Sequence, residues 1–338
     1  MRTYMKSVAI ITLFLVIIGS TIVHAAWVGN GVPLCAALGA QDMSVAVSDG
    51  MGGAIIVWRD DRTVNTDIYA QRVDADGNIL WIPGGMQICT AINYQSDPQV
   101  ISDGAGGAII AWNDARSGST NDIYAQRIDA FGFSQWPPDG IPICTNQPNL
   151  ILGHMISDGM GGAIITWHDR RNFTNDVFAQ RIDPWGSTIW AVNGVAICTE
   201  ANQQQNPALA SDGANGAIIT WEDGRNGAYD IYAKRVDATG TIMWAANGII
   251  VCDIFNVQRT SQIIPDGVGG AIVSWEDYRN GTFFGIYAQR LSPGGVRLWL
   301  SGGVTISSVM YDQMKCQLTS VGAGKTTIMW EDDRNGPG

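Results

Sequence analysis

The sequence predicts an all-β protein, a β-propeller of about six four-stranded antiparallel blades of which the last is incomplete. Three observations support this prediction: a fixed period of about 54 residues, four strand signals within each period, and no segment with the length and 3.6-residue period of a helix. The period is marked by a Trp-x-Asp-x-Arg pentad that begins at Trp58, Trp112, Trp167, Trp221, Trp275 and Trp330. A repeat of this length indicates one supersecondary unit that packs against copies of itself.

The fourth copy illustrates how one unit is built. Residues 206–211 and 217–221 predict two strands joined by a turn of Asp, Gly and Asn, which tolerate positive φ. Residues 230–236 predict a third strand, because β-branched and aromatic side chains are frequent there. A turn at 237–240 leads into a fourth strand predicted over residues 241–252. Each unit is therefore expected to be a four-stranded antiparallel meander.

Two architectures repeat β-units without helices. A propeller arranges such sheets radially, whereas a β-solenoid normally uses shorter repeats whose strands stack in parallel. The second and third strands of each copy are apolar on both faces, as expected of a sheet that packs between two neighbouring sheets. The propeller is therefore the favoured prediction.

The first five copies carry the same motifs in the same order: Ser-Asp-Gly-x-Gly-Gly-Ala-Ile-Ile-x-Trp-x-Asp-x-Arg, then Asp-Ile-Tyr-Ala-Gln-Arg-x-Asp-x-x-Gly, with small variations. Over about residues 27–335 this pattern resembles the blades of secreted bacterial β-propeller repeat proteins. Its layout is also similar to the NHL-type blade, although the NHL signature residues are absent. The resemblance implies that the Ser-Asp-Gly strand lies nearest the propeller axis and the Cys-containing strand outermost. It implies little about activity, because propellers host many unrelated functions.

The two ends of the repeat array do not match a whole number of units. Residues 27–35 match an outermost strand with no blade before it, and residues 316–334 supply only two inner strands of a sixth blade. The first segment could serve as the outer strand of the last blade, whose third strand would still be missing. Either the sixth blade is incomplete or further copies follow Gly338, and the pattern narrowly favours the second alternative.

Residues 1–25 predict a secretory signal peptide. Arg2 and Lys6 precede an almost wholly apolar run over residues 7–21, and small residues surround a predicted cleavage site after Ala25. Residues 26–338 are then expected to form a single β-propeller domain with no stable membrane span. A secreted location follows, whether extracellular, at the cell surface or in the periplasm. The net charge of −11 disfavours nucleic acid as a partner.

Five of the six cysteines recur with the repeat, each eight residues after a Trp: Cys35, Cys89, Cys144, Cys198 and Cys252. Equivalent positions on neighbouring repeats usually lie beyond the Cα separation of about 7 Å that a disulfide permits. Ser307 occupies the sixth equivalent position, which fits a packing role. We therefore predict buried free thiols that act as small hydrophobes. Cys316 is out of phase with the other five.

The Trp-x-Asp-x-Arg pentad is predicted to place three side chains on one face of a strand, where the carboxylate and the guanidinium can form a bidentate pair. Such pairs could be acid/base sites or grip an anionic ligand. Because the motif recurs in every copy, we favour a structural ion pair, for which the Asp that opens the third strand is a further candidate partner. The pairs are Asp60/Arg62, Asp114/Arg116, Asp169/Arg171, Asp223/Arg225 and Asp277/Arg279.

No pattern predicts catalytic residues, a metal site or a cofactor. The Ser-Asp-Gly turns supply one carboxylate, which we expect to cap its own turn, whereas a calcium loop needs several oxygen ligands at alternating positions. Zinc-ligand spacing is absent. An Asp-x-x-Gly-x-x-x-Trp pattern faintly resembles the Asp-box turn of sialidases, but its spacing differs and every well-placed Arg belongs to the repeat.

Function is therefore expected where the copies differ. The loops after the Trp strand and between blades vary and are rich in Asn, Gln and aromatic residues, and the residue after each Trp also varies. We predict a secreted recognition or scaffold module that binds a glycan or an extracellular protein through this loop face. The alternative is an extracellular propeller enzyme of glycosidase or lyase type. Candidate ligand-binding residues are Tyr94, His168, Glu222, Tyr229, Glu276 and Phe284.

Overall fold

A computed structural model of the chain describes residues 30–118, 120–321 and 325–336. The predicted signal peptide lies outside these residues. Within the described ranges, no helix is long and apolar enough to cross a membrane.

The described residues form 22 strands and one short 3-10 helix, Asp333–Asn335. The first three sheets comprise β1 Gln41–Ser48, β2 Ala54–Asp60, β3 Asp67–Val73 and β4 Met86–Cys89; β5 Gln95–Ser102, β6 Ala108–Asp114, β7 Asp122–Ile128 and β8 Ile141–Cys144; β9 Ile151–Ser157, β10 Ala163–Asp169, β11 Asp176–Ile182 and β12 Val195–Cys198. The other sheets comprise β13 Gln204–Ser211, β14 Ala217–Asn226, β15 Ala228–Val236 and β16 Ile249–Cys252; β17 Gln258–Pro265, β18 Ala271–Asp277, β19 Gly285–Leu291 and β20 Val304–Ser307; and β21 Gln313–Ser320 with β22 Thr326–Asp332.

The fold is a β-propeller. Five sheets contain four antiparallel strands in sequence order, and the sixth contains two. The first strands of successive sheets contact one another in turn, from β1 through β5, β9, β13 and β17 to β21. This arrangement confirms the predicted all-β class and the predicted meander within each blade. It also places the Ser-Asp-Gly strand innermost.

The hydrophobic core is divided into clusters between consecutive blades. One cluster, for example, joins Ile109 and Ile123 of blade 2 to Ile165 and Trp167 of blade 3. The pentad tryptophans of blades 2 to 5 are the largest fully buried side chains among the described residues. Because both faces of β6, β10 and β18 are covered, every residue of these strands is buried. This explains why the second strand is apolar on both faces.

Two predicted strands differ from the structure. The fourth strand of blade 4 extends only over Ile249–Cys252, not over residues 241–252. Residues 241–248 make a single bridge, between Val236 and Ile242, before a second turn that contains Gly248. Residues 30–35, predicted to belong to an outermost strand, are irregular. Cys35 nevertheless packs against blade 1 as Cys89 packs against blade 2, with its Sγ 3.1 Å from Arg62 Nη2.

Gly248 shows why the turn before each outer strand needs glycine. Its φ is +84°, and a Cβ at this position would lie 2.4 Å from Cη2 of Trp221. The glycines at the equivalent positions, Gly85, Gly140, Gly194 and Gly303, also have positive φ and lie against the pentad Trp of their own blade. The buried Trp and the glycine turn are therefore mutually dependent features of the repeat.

Candidate functional site

The pentad forms a network within each blade. In blade 4 the carboxylate of Asp223 accepts hydrogen bonds from Trp221 Nε1 at 2.7 Å and from Arg225 Nε at 2.8 Å. Arg225 Nη2 completes the bidentate pair and also donates to the carbonyl of Asn247 at 2.9 Å. The guanidinium carbon lies 4.1 Å from the ring centroid of Tyr232. The carboxylate and the guanidinium therefore face each other within the fold.

The same ion pair recurs in the other complete blades. Each carboxylate is fully shielded from solvent and lies within 2.5–2.6 Å of Nη2 of its arginine, which is 19–22% exposed. In blades 1, 2 and 5 the same Nη2 also donates to a carbonyl of the turn before the outer strand. The predicted pairs are thus all formed, namely Asp60/Arg62, Asp114/Arg116, Asp169/Arg171, Asp223/Arg225 and Asp277/Arg279.

The position of Arg171 corrects, for blade 3, the prediction that Trp, Asp and Arg lie on a single strand, whereas β14 of blade 4 does contain Trp221, Asp223 and Arg225. β10 ends at Asp169, so Arg171 lies in the following turn and not on the strand. The N–H of Arg171 donates to the Asp169 carboxylate at 3.0 Å, and this turn directs the guanidinium back to the same carboxylate. Arg171 also differs from the other pentad arginines: its Nη1, not its Nη2, donates to the carbonyl of Asn193, at 3.0 Å. Its guanidinium carbon lies 3.6 Å over Phe178, where the other blades have Tyr.

The Asp that opens the third strand does not join this pair, contrary to the interpretation offered from the sequence. Asp67 instead accepts from the hydroxyl of Thr63, and Asp176 from the amide of Asn172. Burial raises the pKa of both carboxyls above the usual value. In the five complete blades the second acceptor of each pentad Arg is instead a backbone carbonyl of the turn before the outer strand.

The six cysteines are unpaired among the described residues; five of them are buried as predicted, whereas Cys35 is half-buried, contrary to the prediction. Cys198 of blade 3 has its Sγ 3.8 Å from the Asp223 carboxylate and 3.1 Å from Arg225 Nη2 of blade 4. Burial raises the pKa of this thiol to about 11. Cys316 occupies a different, inner-strand position, where its Sγ lies 3.3 Å from Ser274 Oγ of the preceding blade. Ser261 makes the equivalent contact with Thr220. Cys316 therefore occupies a repeated position of the inner strand, which differs from the outer-strand position of the other cysteines.

A second repeated ion pair was missed by sequence reasoning. Asp212 of the Ser-Asp-Gly turn caps its own turn, as predicted, and also binds Arg235 of the third strand at 2.9 Å. Arg235 then donates to the carbonyl of Pro293 in the next blade. Asp49, Asp103, Asp158 and Asp266 pair in the same way with Arg72, Arg127, Arg181 and Arg290. The recurring Arg of the Ala-Gln-Arg motif was the available signal.

Three of the residues that follow a pentad Trp, Asn113, Glu222 and Glu276, contact the neighbouring blade. A bulge in the inner strand of blade 5 leaves the N–H of Thr260 free to donate to Glu222 at 2.8 Å. Glu276 likewise accepts from the N–H of Lys315, and Asn113 from that of Leu152. Because these acceptors are engaged with backbone, the variable position links consecutive blades rather than presenting free acids.

His168 differs from the equivalent residues of the other copies. It is 5% exposed, and its Nδ1 is buried without a hydrogen-bond partner among the described residues. Burial lowers the pKa of His168 to about 4, against a smaller opposing effect of Asp169. The imidazole is therefore neutral near pH 7.

The six residues predicted to bind a ligand are distributed over the loop face and its underlying strands. Tyr94 is exposed between blades 1 and 2, and His168 is buried in blade 3. The carboxylate of Glu222 lies close enough to Tyr229 to contribute, after burial, to a raised pKa of its hydroxyl. Glu276 is bound by Arg259, whose guanidinium lies 3.9 Å over the Phe284 ring. The structure therefore forms two local groups and no single cluster of all six.

The loop face contains a groove of about 360 Å³ at blade 4. Its walls are Asn226 and Asp230 of the long β14–β15 hairpin and Asp253, Phe255 and Asn256 of the segment that leads to blade 5. The Phe255 ring is 82% exposed. Burial raises the pKa of Asp230, with a further contribution from the charge of Asp253 and an opposing hydrogen bond from Asn226.

Two departures from the repeat create this groove. β14 extends to Asn226, whereas β6, β10 and β18 end at the pentad Asp. Asp253 stands where the other complete blades have Thr90, Thr145, Thr199 and Ser308. Neither Asp253 nor Phe255 is among the residues predicted from the sequence, although Asp253 is visible as a departure from the hydroxyl-bearing residue of the other complete blades.

The opposite face carries a smaller apolar groove of about 180 Å³, lined by Met160, Pro184, Trp185 and Ile189 among others. The Trp185 ring is 81% exposed. This face is formed by the tight turns of the repeat and not by its variable loops.

No protein-family profile and no curated protein matches the chain. Among solved structures, it is similar to a protein from Agrobacterium tumefaciens described as a putative TolB, at 16% identity over 77% of this chain and 81% of that one, with a TM-score of 0.42. It is also similar to the Hadza microbial sialidase Hz136, at 16% identity over 81% and 61%, with a TM-score of 0.46. The α-L-arabinanase of Penicillium chrysogenum, complexed with arabinobiose, matches at 11% identity over 76% and 80%, with a TM-score of 0.46. These similarities carry no information on activity.

Proposed function

We propose that the protein is a recognition module that binds a glycan in the blade 4 groove of its loop face. The observation that carries this proposal is the exposed Phe255 ring beside carboxylate and amide groups, in the place where the hairpin departs from the repeat. An exposed ring offers an apolar surface to the face of a sugar ring, and the surrounding oxygens and amides can exchange hydrogen bonds with its hydroxyls.

Binding is favoured over catalysis by comparison with the other blades. A raised pKa at Asp230 would suit a general acid, but burial also raises the pKa of Asp67 and Asp176 at the equivalent positions. The shift therefore follows from the repeat architecture. Asp253 is the one groove carboxylate that is particular to this blade among the equivalent positions. The enzyme alternative depends on this residue.

The test is a glycan array with the intact protein, followed by calorimetry on the strongest ligand. Phe255→Ala should weaken binding roughly 5- to 150-fold, the equivalent of about 1–3 kcal/mol for a side chain that dominates an interface. Phe173→Ala is the matched control, because Phe173 is a 94% exposed ring on the same face in blade 3. Trp185→Ala controls for the opposite face. Equal losses in Phe255→Ala and either control would contradict the assignment.

The enzyme alternative is tested on the same ligands. Product analysis after prolonged incubation should show intact oligosaccharide with the wild-type protein. Hydrolysis that disappears in Asp253→Asn would replace the binding module with a glycosidase.

We also propose that residues 1–25 are removed on export and that residues 26–338 form one propeller domain outside the cytoplasm. The apolar run behind Arg2 and Lys6 supports this proposal. Mass spectrometry of the protein recovered from the exported fraction should give an N-terminus at Ala26. Retention of the first 25 residues in cells would contradict it.

A further inference from the structure

The carboxylate of Asp230 has an unpaired oxygen at the blade 4 groove. Its Oδ2 accepts from Asn226 Nδ2 at 3.1 Å, and its Oδ1 receives no hydrogen bond from the described residues. The residue is only 6% exposed, yet it lines the groove. An acceptor held inside a protein without a donor destabilises it unless water or a ligand supplies that donor. The groove therefore presents an acceptor to whatever occupies it.

The equivalent oxygen is not presented in this way in blades 2 and 3. In blade 2, Oδ1 of Asp122 accepts from the backbone N–H of Asn146 at 2.7 Å. In blade 3, Oδ1 of Asp176 is buried without a partner among the described residues. Blade 4 therefore differs from both, because it combines an unpaired carboxylate oxygen with a groove that reaches the residue.

Asp253 places a second carboxylate in the same groove. Burial raises the pKa of Asp230, and the charge of Asp253 adds to this effect. Arg225 opposes it only in part, because its guanidinium is already paired with Asp223. The Asp253 side chain is 43% exposed, and Nη1 of Arg297 lies 3.9 Å from it, too far for a hydrogen bond. The two negative charges of the groove are therefore incompletely compensated by the surrounding side chains.

We propose that the glycan bound in this groove carries a protonated amino group, as in a hexosamine without an N-acetyl group, which donates to Asp230 and Asp253 while the sugar ring lies on Phe255. An ammonium group has three donors and no acceptor, so it can bind both carboxylates at once, whereas a hydroxyl has a single donor. The exposed Phe255 ring attracts a cation as well as the apolar face of a sugar. This inference rests on the proposed glycan binding and specifies the chemical class of the ligand.

Three oligosaccharides with the same β-1,4 linkage serve as probes, namely the tetramers of glucosamine, N-acetylglucosamine and glucose. Calorimetry with the intact protein should show that the glucosamine tetramer binds about 10-fold more tightly than the other two, as expected of one charged hydrogen bond. Added NaCl should reduce this preference, because salt screens exposed charges. Equal affinity for the three tetramers would overturn the inference, as would binding that requires added calcium.

The glycan array separates this inference from the proposed function. If its strongest ligands lack an amino group but depend on Phe255, the glycan module stands and the inference is wrong. If no glycan binds, the proposed function itself is wrong. Equal affinity for tetralysine and the glucosamine tetramer would also overturn the inference, because the groove would then recognise charge without the sugar ring.

Two protein variants test the carboxylates directly. Asp230→Asn should weaken binding of the glucosamine tetramer about 10-fold, and Asp253→Asn about 2- to 5-fold, because Asp253 is the more exposed. Both should fold, since Gly285 occupies the position of Asp230 in blade 5 and Asp253 lies at the surface. Urea unfolding checks this, and Asp253→Asn decides alone if Asp230→Asn is unfolded.

Asp76→Asn is the matched control for charge, because Asp76 is an exposed carboxylate in a turn of the opposite face. It should leave the affinity for the glucosamine tetramer unchanged. Wild-type affinity for this tetramer in the Asp253→Asn protein, or an equal loss in Asp76→Asn, would overturn the inference.

Discussion

Removal of one pentad carboxylate tests whether the repeated ion pairs stabilise the fold. Asp223 is fully buried, and its carboxylate accepts from Trp221 Nε1, from the N–H of Arg225 and from the Arg225 guanidinium. Asp223→Ala leaves those donors without their acceptor inside the protein. Breaking a buried pair by removing one partner costs about 3–5 kcal/mol. The Arg225 side chain retains 17% exposure, so we expect a loss near the lower end, about 3 kcal/mol of unfolding free energy.

The sixth sheet offers a matched control with the same chemistry. Asp332 and Arg334 form the same pair at the same distance, but the Arg334 side chain is 50% exposed. Water can solvate this guanidinium when the carboxylate is removed, so Asp332→Ala should cost much less than Asp223→Ala. Urea unfolding followed by Trp fluorescence measures both variants, and ligand binding by the folded Asp223→Ala protein should persist. Equal losses of stability in the two variants would refute the reasoning, because they would show that burial does not set the cost.

Other predictions concern particular positions of the repeat. Gly248→Ala should lower the unfolding free energy by roughly 2–4 kcal/mol, because Ala at φ +84° is strained and its Cβ meets the Trp221 ring; unchanged stability in urea would contradict this. Lys234→Gln should raise stability by about 1 kcal/mol, because Lys234 is a buried cation where four other copies have Gln; a loss of stability would show that its bonds to two backbone carbonyls outweigh burial. His168 has a folded pKa of about 4 against 6.5 for the free side chain, so the neutral form is favoured by folding and stability falls as pH drops below 6.5, by about 3 kcal/mol once pH reaches 4. His168→Asn should remove the His168 contribution from the pH profile in a series of urea titrations, and an unchanged profile would exclude His168 as a source; His154, whose pKa burial also lowers, contributes in the same direction. Thiol reagents should label the five buried cysteines only after denaturation, because burial raises the pKa of thiols such as Cys198 to about 11; rapid labelling of these five in the folded protein, or of none after unfolding without reductant, would contradict free buried thiols.

The groove shows which features of the candidate site the repeat pattern does not predict. The variable loops were expected to hold the ligand site, and the groove does lie between two of them. Tyr94, Tyr229 and Phe284 were selected because they are aromatic, yet Phe284 packs against Tyr278 with ring centroids 4.9 Å apart. Phe255 is the ring left exposed beside the groove. Whether a loop aromatic points to solvent or to a neighbour depends on contacts with other strands, which spacing along the chain does not specify.

The pentad shows a similar limit on a smaller scale. Spacing along the chain predicted the pairing of Asp169 with Arg171, and the structure forms it. The same spacing predicted a continuous strand, whereas β10 ends at Asp169 and a turn carries Arg171. The pair forms in either backbone geometry because the Arg side chain is long enough to reach a carboxylate two residues away.

The sequence by itself determined the repeating unit, the strand order and the pentad ion pairs. These features depend on residues a few positions apart, which stay close in space whether a strand or a tight turn joins them. The tertiary structure alone decided which residues meet between blades. Glu222 reaches the N–H of Thr260, and Arg235 the carbonyl of Pro293, because one blade is rotated against the next and an inner-strand bulge frees a donor. The rotation and the bulge are properties of packed sheets, so contacts that depend on them become visible only once the blades are assembled.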